Sequence, residues 1–132
     1  MPRLQVVALS ARLPGWAEAA CVEYVKRMPR GYEVERVFVK AGRLKLPKNF
    51  RIVALDERGE DLATGQFAKL LQRETAFVIG GPDGLDESVK NGANLLLRLS
   101  SLTLPHALAQ VVLLEQIYRA ATLLTGHPYH RA

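Results

Sequence analysis

The sequence has little of several features that usually mark a protein's class. Its 132 residues include one cysteine, Cys21, so no disulfide can form within the chain and a reducing cytoplasm is the expected compartment. Arg3 and Gln5 interrupt the first nine residues, unlike a secretory signal, and no apolar run approaches the length of a membrane span. These absences predict a soluble cytoplasmic protein without a membrane partner, in which Cys21 is a core residue.

Positive charge is in excess. Lys and Arg number 18 against 13 Asp and Glu, which gives a formal net charge of +5 and a sequence pI near 9.7. This balance favours a polyanionic partner, but many basic proteins bind no nucleic acid, so charge alone leaves the question open. The length and a hydrophobic content of 48% predict one domain, residues 1–132, that buries a core without disulfides.

Short β-branched runs alternate with helical patterns along the chain. The predicted strands are residues 4–9, 34–39, 51–55 and 76–79, with a fifth within 95–99. The predicted helices are residues 16–28, 64–73, a short piece from residue 86, and 107–125. This alternation predicts an α/β fold, a parallel sheet with helices on both faces.

A basic segment separates the second and third predicted strands. Residues 40–51, KAGRLKLPKNFR, contain five Lys or Arg residues and no acidic residue. Charge runs of this kind are often only solvated, but they also supply sequence-independent affinity for a nucleic-acid backbone. Both interpretations remain open.

Two phrases in the last third of the chain are typical of ligand-binding loops. GGPDGL, residues 80–85, follows a predicted strand, and its glycines allow positive φ or a close approach of backbone to a ligand. It lacks the spacing of the dinucleotide fingerprint, so a structural turn is about as well supported. LSSLTLPH, residues 99–106, leads from the last strand into the last helix, and the two loops could together surround one ligand.

The last helix and the tail after it form the third notable region. The first half of this helix is apolar on nearly every side, so the sheet can cover one side and a second copy of the chain is the economical cover for the other. Gly126 ends the helix, and HPYHR at residues 127–131 is unusually rich in functional side chains for a terminus. His106, His127 and His130 lack accompanying carboxylates or thiols at ligand spacing, so no metal is expected.

The three phrases, together with VALDERG at residues 53–59 and EQIYRA at 115–120, resemble the RlmH (YbeA) family of SPOUT methyltransferases. The likeness covers both ends of the chain and is strongest over residues 77–131. Members of this family use S-adenosylmethionine to methylate N3 of a pseudouridine in 23S ribosomal RNA. The resemblance implies a C-terminal trefoil knot (the SPOUT or alpha-beta knot), a homodimer that pairs through the first and last helices, and the large subunit or whole ribosome as substrate.

The resemblance also implies a site. Eight positions would contact S-adenosylmethionine: Leu55, Gly80, Leu99, Ser100, Ser101, Leu102, Thr103 and Leu104. In the tail, His130 would take or relay the proton of the target nitrogen, Arg131 would hold negative charge on the base or a flanking phosphate, and Tyr129 would stack on or hydrogen-bond the base. The tail would reach the cofactor of the partner protomer, which makes the active site composite.

One departure from the family concerns the basic segment. Family members usually carry an additional helical stretch between the second and third strands, which this chain replaces with residues 40–51. Two alternatives to the methyltransferase stay open: a ribosome-binding module without catalysis, and a different enzyme, such as a nucleotide-binding hydrolase, whose metal or nucleophile set is not found in the sequence.

Overall fold

The computed structural model describes residues 2–9, 12–40 and 44–129. Within them the chain forms five strands and four helices. In chain order these are β1 (Leu4–Ala8), α1 (Gly15–Arg27), β2 (Val34–Phe38), β3 (Arg51–Glu60), α2 (Thr64–Leu70), β4 (Thr75–Ile79), α3 (Glu87–Asn91), β5 (Leu95–Leu97) and α4 (His106–Thr125).

The strands form one sheet in the order β2-β1-β4-β3-β5. Each pairing between neighbouring strands is parallel, which confirms the predicted α/β architecture. All carboxyl ends therefore lie at one edge of the sheet and all amino ends at the other. In an open parallel sheet, ligands bind outside the carboxyl ends of the strands.

Alternate residues of the central strands face two different apolar layers. Val53 and Phe77 point into the larger cluster, formed with α1, α2 and α4. Ala54, Ala76 and Val78 face the smaller cluster on the other side, where α3 packs. The sheet thus has helices on both faces, as predicted. Cys21 of α1 is fully buried in the larger cluster, where burial raises the pKa of its thiol, as expected for a core residue.

Residues 44–50, here called the basic strap, cover part of the second face. Leu44, Leu46 and Phe50 pack against the smaller cluster, whereas Lys45 and Lys48 are exposed. The apolar residues of the strap therefore fix it on the sheet while its lysines face solvent. Residues 41–43 of the predicted basic segment lie outside the described residues.

The third strand extends further than its sequence pattern predicts. It runs to Glu60, five residues beyond the predicted end, and Glu60 pairs with Leu97 after a register shift. A Cβ atom on Gly59 would lie 2.7 Å from backbone atoms of Leu96 and Leu97. The extension of β3 therefore packs backbone to backbone on β5, which only glycine permits.

The last helix is apolar and only partly covered by its own chain. By length and composition alone this 20-residue helix could cross a membrane, since its most apolar window has a mean hydropathy of 1.2, which was not expected from the sequence. Eight of its residues are buried in the single chain, including Leu113, Leu114 and Ile117, as in the core helix of a folded domain. The other face is partly open, with Leu108 and Leu123 exposed, so α4 is not covered all round by its own chain.

Candidate functional site

A cleft of about 540 Å³ opens at the carboxyl edge of the sheet. The middle of β3 and the ends of β4 and β5 meet there with the start of α4. Its lining comes from residues 55–57, 79–85, 97–100, 102–106, Lys90 and Ala109. Both ligand-loop phrases of the sequence therefore lie on the walls of one cleft, as predicted.

The glycine-rich phrase forms a tight, hydrogen-bonded turn. The amide of Gly84 donates to the carbonyl of Gly81 at 2.9 Å, and Gly84 has a φ of +79°, a left-handed conformation that favours glycine. A Cβ on Gly80 would lie 2.5 Å from the carbonyl carbon of Gly84, and a Cβ on Gly81 would lie 2.6 Å from the carbonyl oxygen of Leu9. Gly80 and Gly81 are thus required by close packing rather than by positive φ.

The second wall is the segment between β5 and α4. Ser100 Oγ accepts a hydrogen bond from the amide of Leu102 at 2.9 Å, which closes a local turn. Leu102 is 75% exposed at the cleft. Seven of the eight predicted cofactor positions line the cleft: Leu55, Gly80, Leu99, Ser100, Leu102, Thr103 and Leu104. Ser101 is exposed and is not part of the lining.

A salt bridge ties this second wall to the extension of β3. The guanidinium of Arg98 donates two hydrogen bonds to the carboxylate of Asp61, at 2.6 and 2.5 Å, and its own amide donates to the carbonyl of Glu60 at 2.9 Å. The bond from Arg98 lowers the pKa of Asp61. The loop that leaves β5 is thereby held beside β3.

The cleft also contains side chains that were not predicted as site residues. Asp56, directly after Leu55, is 11% exposed, and its Oδ1 lies 3.6 Å from Nζ of Lys90 on α3. His106, named in the sequence analysis only as a histidine without accompanying metal ligands, is the first residue of α4 and also lines the cleft. Its Nε2 lies 3.2 Å from Nε2 of the buried Gln110. The sequence feature that could have identified Asp56 as a site residue is its position inside the VALDERG phrase.

The tail after α4 folds back onto its own helix. Gly126 ends the helix in the left-handed conformation, with a φ of 74°. The hydroxyl of Tyr129 donates to Oε2 of Glu115 at 2.9 Å, and its ring lies 4.6 Å from that of Tyr118, which in turn contacts Tyr24 of α1. Burial, and then the bond to Glu115, raise the pKa of the Tyr129 phenol. His130 and Arg131, the other predicted catalytic residues, lie outside the described residues.

The attachment of Tyr129 sets its position relative to the cleft. Glu115 follows His106 by nine residues, which is about 13 Å of helix rise and about 2.5 turns. The two residues therefore lie on opposite sides of α4. Tyr129 is consequently held away from the cleft of its own chain.

Metal ligands do not converge in the part of the chain that the structure describes. Residues 2–9, 12–40 and 44–129 contain no group of three or more His, Cys, Asp or Glu side chains that could hold a metal ion.

Comparisons with known proteins agree with this geometry. The family described as "Predicted SPOUT methyltransferase" matches residues 2–130. The chain is 46% identical to "Ribosomal RNA large subunit methyltransferase H" of Burkholderia thailandensis over 155 aligned positions, which cover 98% of the chain and 99% of the relative. Because 155 positions exceed the 132 residues present, the alignment contains gaps in this chain, in keeping with its expected shortening.

Two solved structures share the fold at low sequence identity. A probable methylase family protein from Haemophilus influenzae Rd KW20 superposes with a TM-score of 0.67 at 10% identity, covering 99% of this chain and 71% of the other. The SpoU methyltransferase AviRb from Streptomyces viridochromogenes, in complex with AdoMet, gives a TM-score of 0.59 at 14% identity, covering 98% of this chain and 59% of AviRb.

Proposed function

Because the chain belongs to the SPOUT methyltransferase family, whose fold carries a C-terminal trefoil knot, we propose that it transfers a methyl group from S-adenosylmethionine to N3 of a pseudouridine in 23S ribosomal RNA. The observation that carries the proposal is the cleft at the carboxyl edge, which gathers seven of the eight expected cofactor positions. The name of the Burkholderia thailandensis relative supports large-subunit ribosomal RNA as the substrate class. Each chain forms a single domain, and the protein acts in the cytoplasm.

The cleft fits the cofactor in size and chemistry. Its volume of about 540 Å³ lies within the range of small-molecule sites. Gly80 lines the cleft at the end of β4, so backbone groups there can hydrogen-bond to the adenine edge. Leu55, Leu99 and Leu104 offer apolar surface to its faces. When bound, S-adenosylmethionine supplies the reactive methyl group, and the chain orients it.

The tail residues serve the RNA base. The target nitrogen is a weakly acidic imide N–H, so its reaction requires loss of that proton and stabilisation of the anion. His130 accepts or relays the proton, and Arg131 holds the negative charge or a neighbouring phosphate. Tyr129 anchors the tail through Glu115, and its raised pKa keeps the phenol protonated, so its hydroxyl donates to Glu115 and its ring is the part that can stack on the base.

A second copy of the chain completes the active site. Tyr129 lies on the side of α4 away from its own cleft, so the tail serves the cleft of a partner protomer. The partner packs against the open face of α4, where Leu108 and Leu123 are exposed, and against Trp16 and Val22 of α1, which are also exposed. Pairing through these helices brings each tail to the other protomer.

Calorimetric titration with S-adenosylmethionine tests the cofactor assignment. We expect one binding site per chain. In a separate activity assay, we expect methylation of large subunits or ribosomes isolated from cells that lack the modification. A correctly folded protein that binds ribosomes but not S-adenosylmethionine would instead be a ribosome-binding module.

Mixed dimers test the composite site. A protomer with Gly80→Ala has a damaged cleft and an intact tail. A protomer with His130→Ala has an intact cleft and a damaged tail. Unfolding and refolding an equal mixture should restore about a quarter of wild-type activity, since half of the dimers are mixed and each has one intact site. If tail and cleft act within one chain, the mixture stays inactive.

A further inference from the structure

The edge of the sheet opposite the cleft carries a row of arginines. Arg3 precedes β1, Arg73 precedes β4 and Arg51 begins β3, and these three strands are neighbours in the order β1-β4-β3. The amide of Thr75 donates to the carbonyl of Arg3 at 3.1 Å, and the amide of Arg51 donates to the carbonyl of Glu74 at 2.8 Å. Parallel pairing therefore brings three residues that are far apart in sequence to one edge.

A recess of about 610 Å³ opens at this edge. It is lined by Asn49, Phe50, Arg51, Arg73, Glu74 and Asn94. The guanidinium of Arg3 stacks over the ring of Phe50, 5.1 Å from its centroid. The side-chain oxygen of Asn94 accepts a hydrogen bond from the amide of Ile52 at 2.7 Å, so its NH2 group remains a donor for a ligand.

The arginines of this edge are among the several described arginines that form no ion pair. Arg27, Arg36 and Arg98 each form a salt bridge with a carboxylate. Across residues 2–9, 12–40 and 44–129, no ion pair involves Arg3, Arg51 or Arg73. Glu74 is the only carboxylate among the lining residues of the recess, so its charge leaves an excess of positive charge there.

We propose that this amino edge is a second RNA-binding site, in which Arg3, Arg51 and Arg73 bind backbone phosphates of ribosomal RNA. The planar guanidinium matches a phosphate with two parallel hydrogen bonds, and such contacts position a protein on nucleic acid without reading sequence. A strand of five residues is about 17 Å long, so these phosphates belong to nucleotides remote from the base in the cleft. The proposal rests on ribosomal RNA being the substrate.

Its test uses the full-length protein and a charge-matched control. The double variant Arg51→Gln with Arg73→Gln removes two positive charges at the recess. Arg12→Gln with Arg58→Gln removes two elsewhere, since both residues are exposed and neither lines the recess or the cleft. Binding to protein-free 23S RNA is measured across a salt series, together with S-adenosylmethionine affinity and the kcat and KM for large subunits.

We expect the recess variant to bind 23S RNA about tenfold more weakly than the control, with a salt slope lower by about one to two. KM for large subunits should rise, whereas kcat and S-adenosylmethionine affinity stay at wild-type values. Arg51→Lys with Arg73→Lys should recover most of the RNA affinity, which separates charge from folding.

If the recess variant binds protein-free 23S RNA as tightly as the control does, the proposal is overturned. A loss of affinity seen only with whole subunits also overturns it, because that would indicate a ribosomal protein as the contact. If the wild type binds RNA through this edge but does not bind S-adenosylmethionine, the proposed function fails while the amino-edge site stands.

Discussion

Replacing Gly80 by alanine should damage the cofactor cleft from inside its own loop. The added Cβ would lie 2.5 Å from the carbonyl carbon of Gly84, 2.7 Å from its oxygen and 2.9 Å from the amide nitrogen of Leu85. Ordinary contacts of a Cβ begin at 3.4 Å, so the turn must open by about 1 Å. All three neighbouring atoms are backbone, and no side-chain rotation relieves the clash.

Overpacking of this kind costs about 1–3 kcal/mol. In a domain of this size, each kcal/mol lowers Tm by about 3–6 °C, so we expect Tm to fall by at least about 3 °C. The displaced backbone forms a wall of the cleft, so the affinity for S-adenosylmethionine should fall about tenfold or more. Thermal denaturation and calorimetric titration measure the two effects separately.

Gly65→Ala is the matched control. No atom lies within 4 Å of a Cβ at Gly65, which is inside α2, so alanine there should raise stability by up to about 1 kcal/mol through helix propensity and leave cofactor affinity unchanged. If Gly80→Ala matches Gly65→Ala in both stability and cofactor affinity, the close packing of the turn does not shape the site.

Three further predictions concern the tail and the basic strap. His130→Ala should leave S-adenosylmethionine affinity within severalfold but depress methyl transfer to ribosomes, and unchanged turnover in a methylation assay would remove His130 from the chemistry. Tyr129→Phe loses the bond to Glu115 and should cost about 1 kcal/mol at neutral pH. Because the folded chain raises the pKa of this phenol while an unfolded tyrosine ionises near pH 10, the advantage of wild type should shrink as pH rises above about 10, and a constant difference in denaturant titrations would contradict this contact. Replacing both Lys45 and Lys48 by alanine should weaken ribosome binding most at low salt, and an affinity that equals wild type at every salt concentration would mean that these lysines are only solvated.

Local sequence patterns predict most elements of this fold because the longer strands and helices have clear apolar patterns. The extension of β3 was missed because residues 56–60, DERGE, contain four charged residues and no β-branched one. Non-local contacts hold it: the pairing of Glu60 with Leu97 and the backbone contact at Gly59. A local pattern contains neither.

The candidate site was predicted in part for the same reason. The walls of the cleft follow strand ends, which the sequence marks with glycine and small polar residues. The pair Asp56 and Lys90 joins residues 34 positions apart, and its contact exists only once α3 packs beside β3. The attachment of Tyr129 to Glu115 likewise depends on the tail folding back on α4, which no residue pattern announces.

The length of α4 sets the distance between the cleft and the tail. His106 at its first residue lines the cleft, and Thr125 at its last leads into the tail. Inserting one residue within the helix would turn everything beyond it by about 100° and advance it by about 1.5 Å. If the insertion preceded Glu115, Tyr129 and Glu115 could keep their contact with each other, but both would point in a different direction relative to the cleft. Evolution can therefore exchange side chains on the open face of α4 far more readily than it can lengthen or shorten the helix.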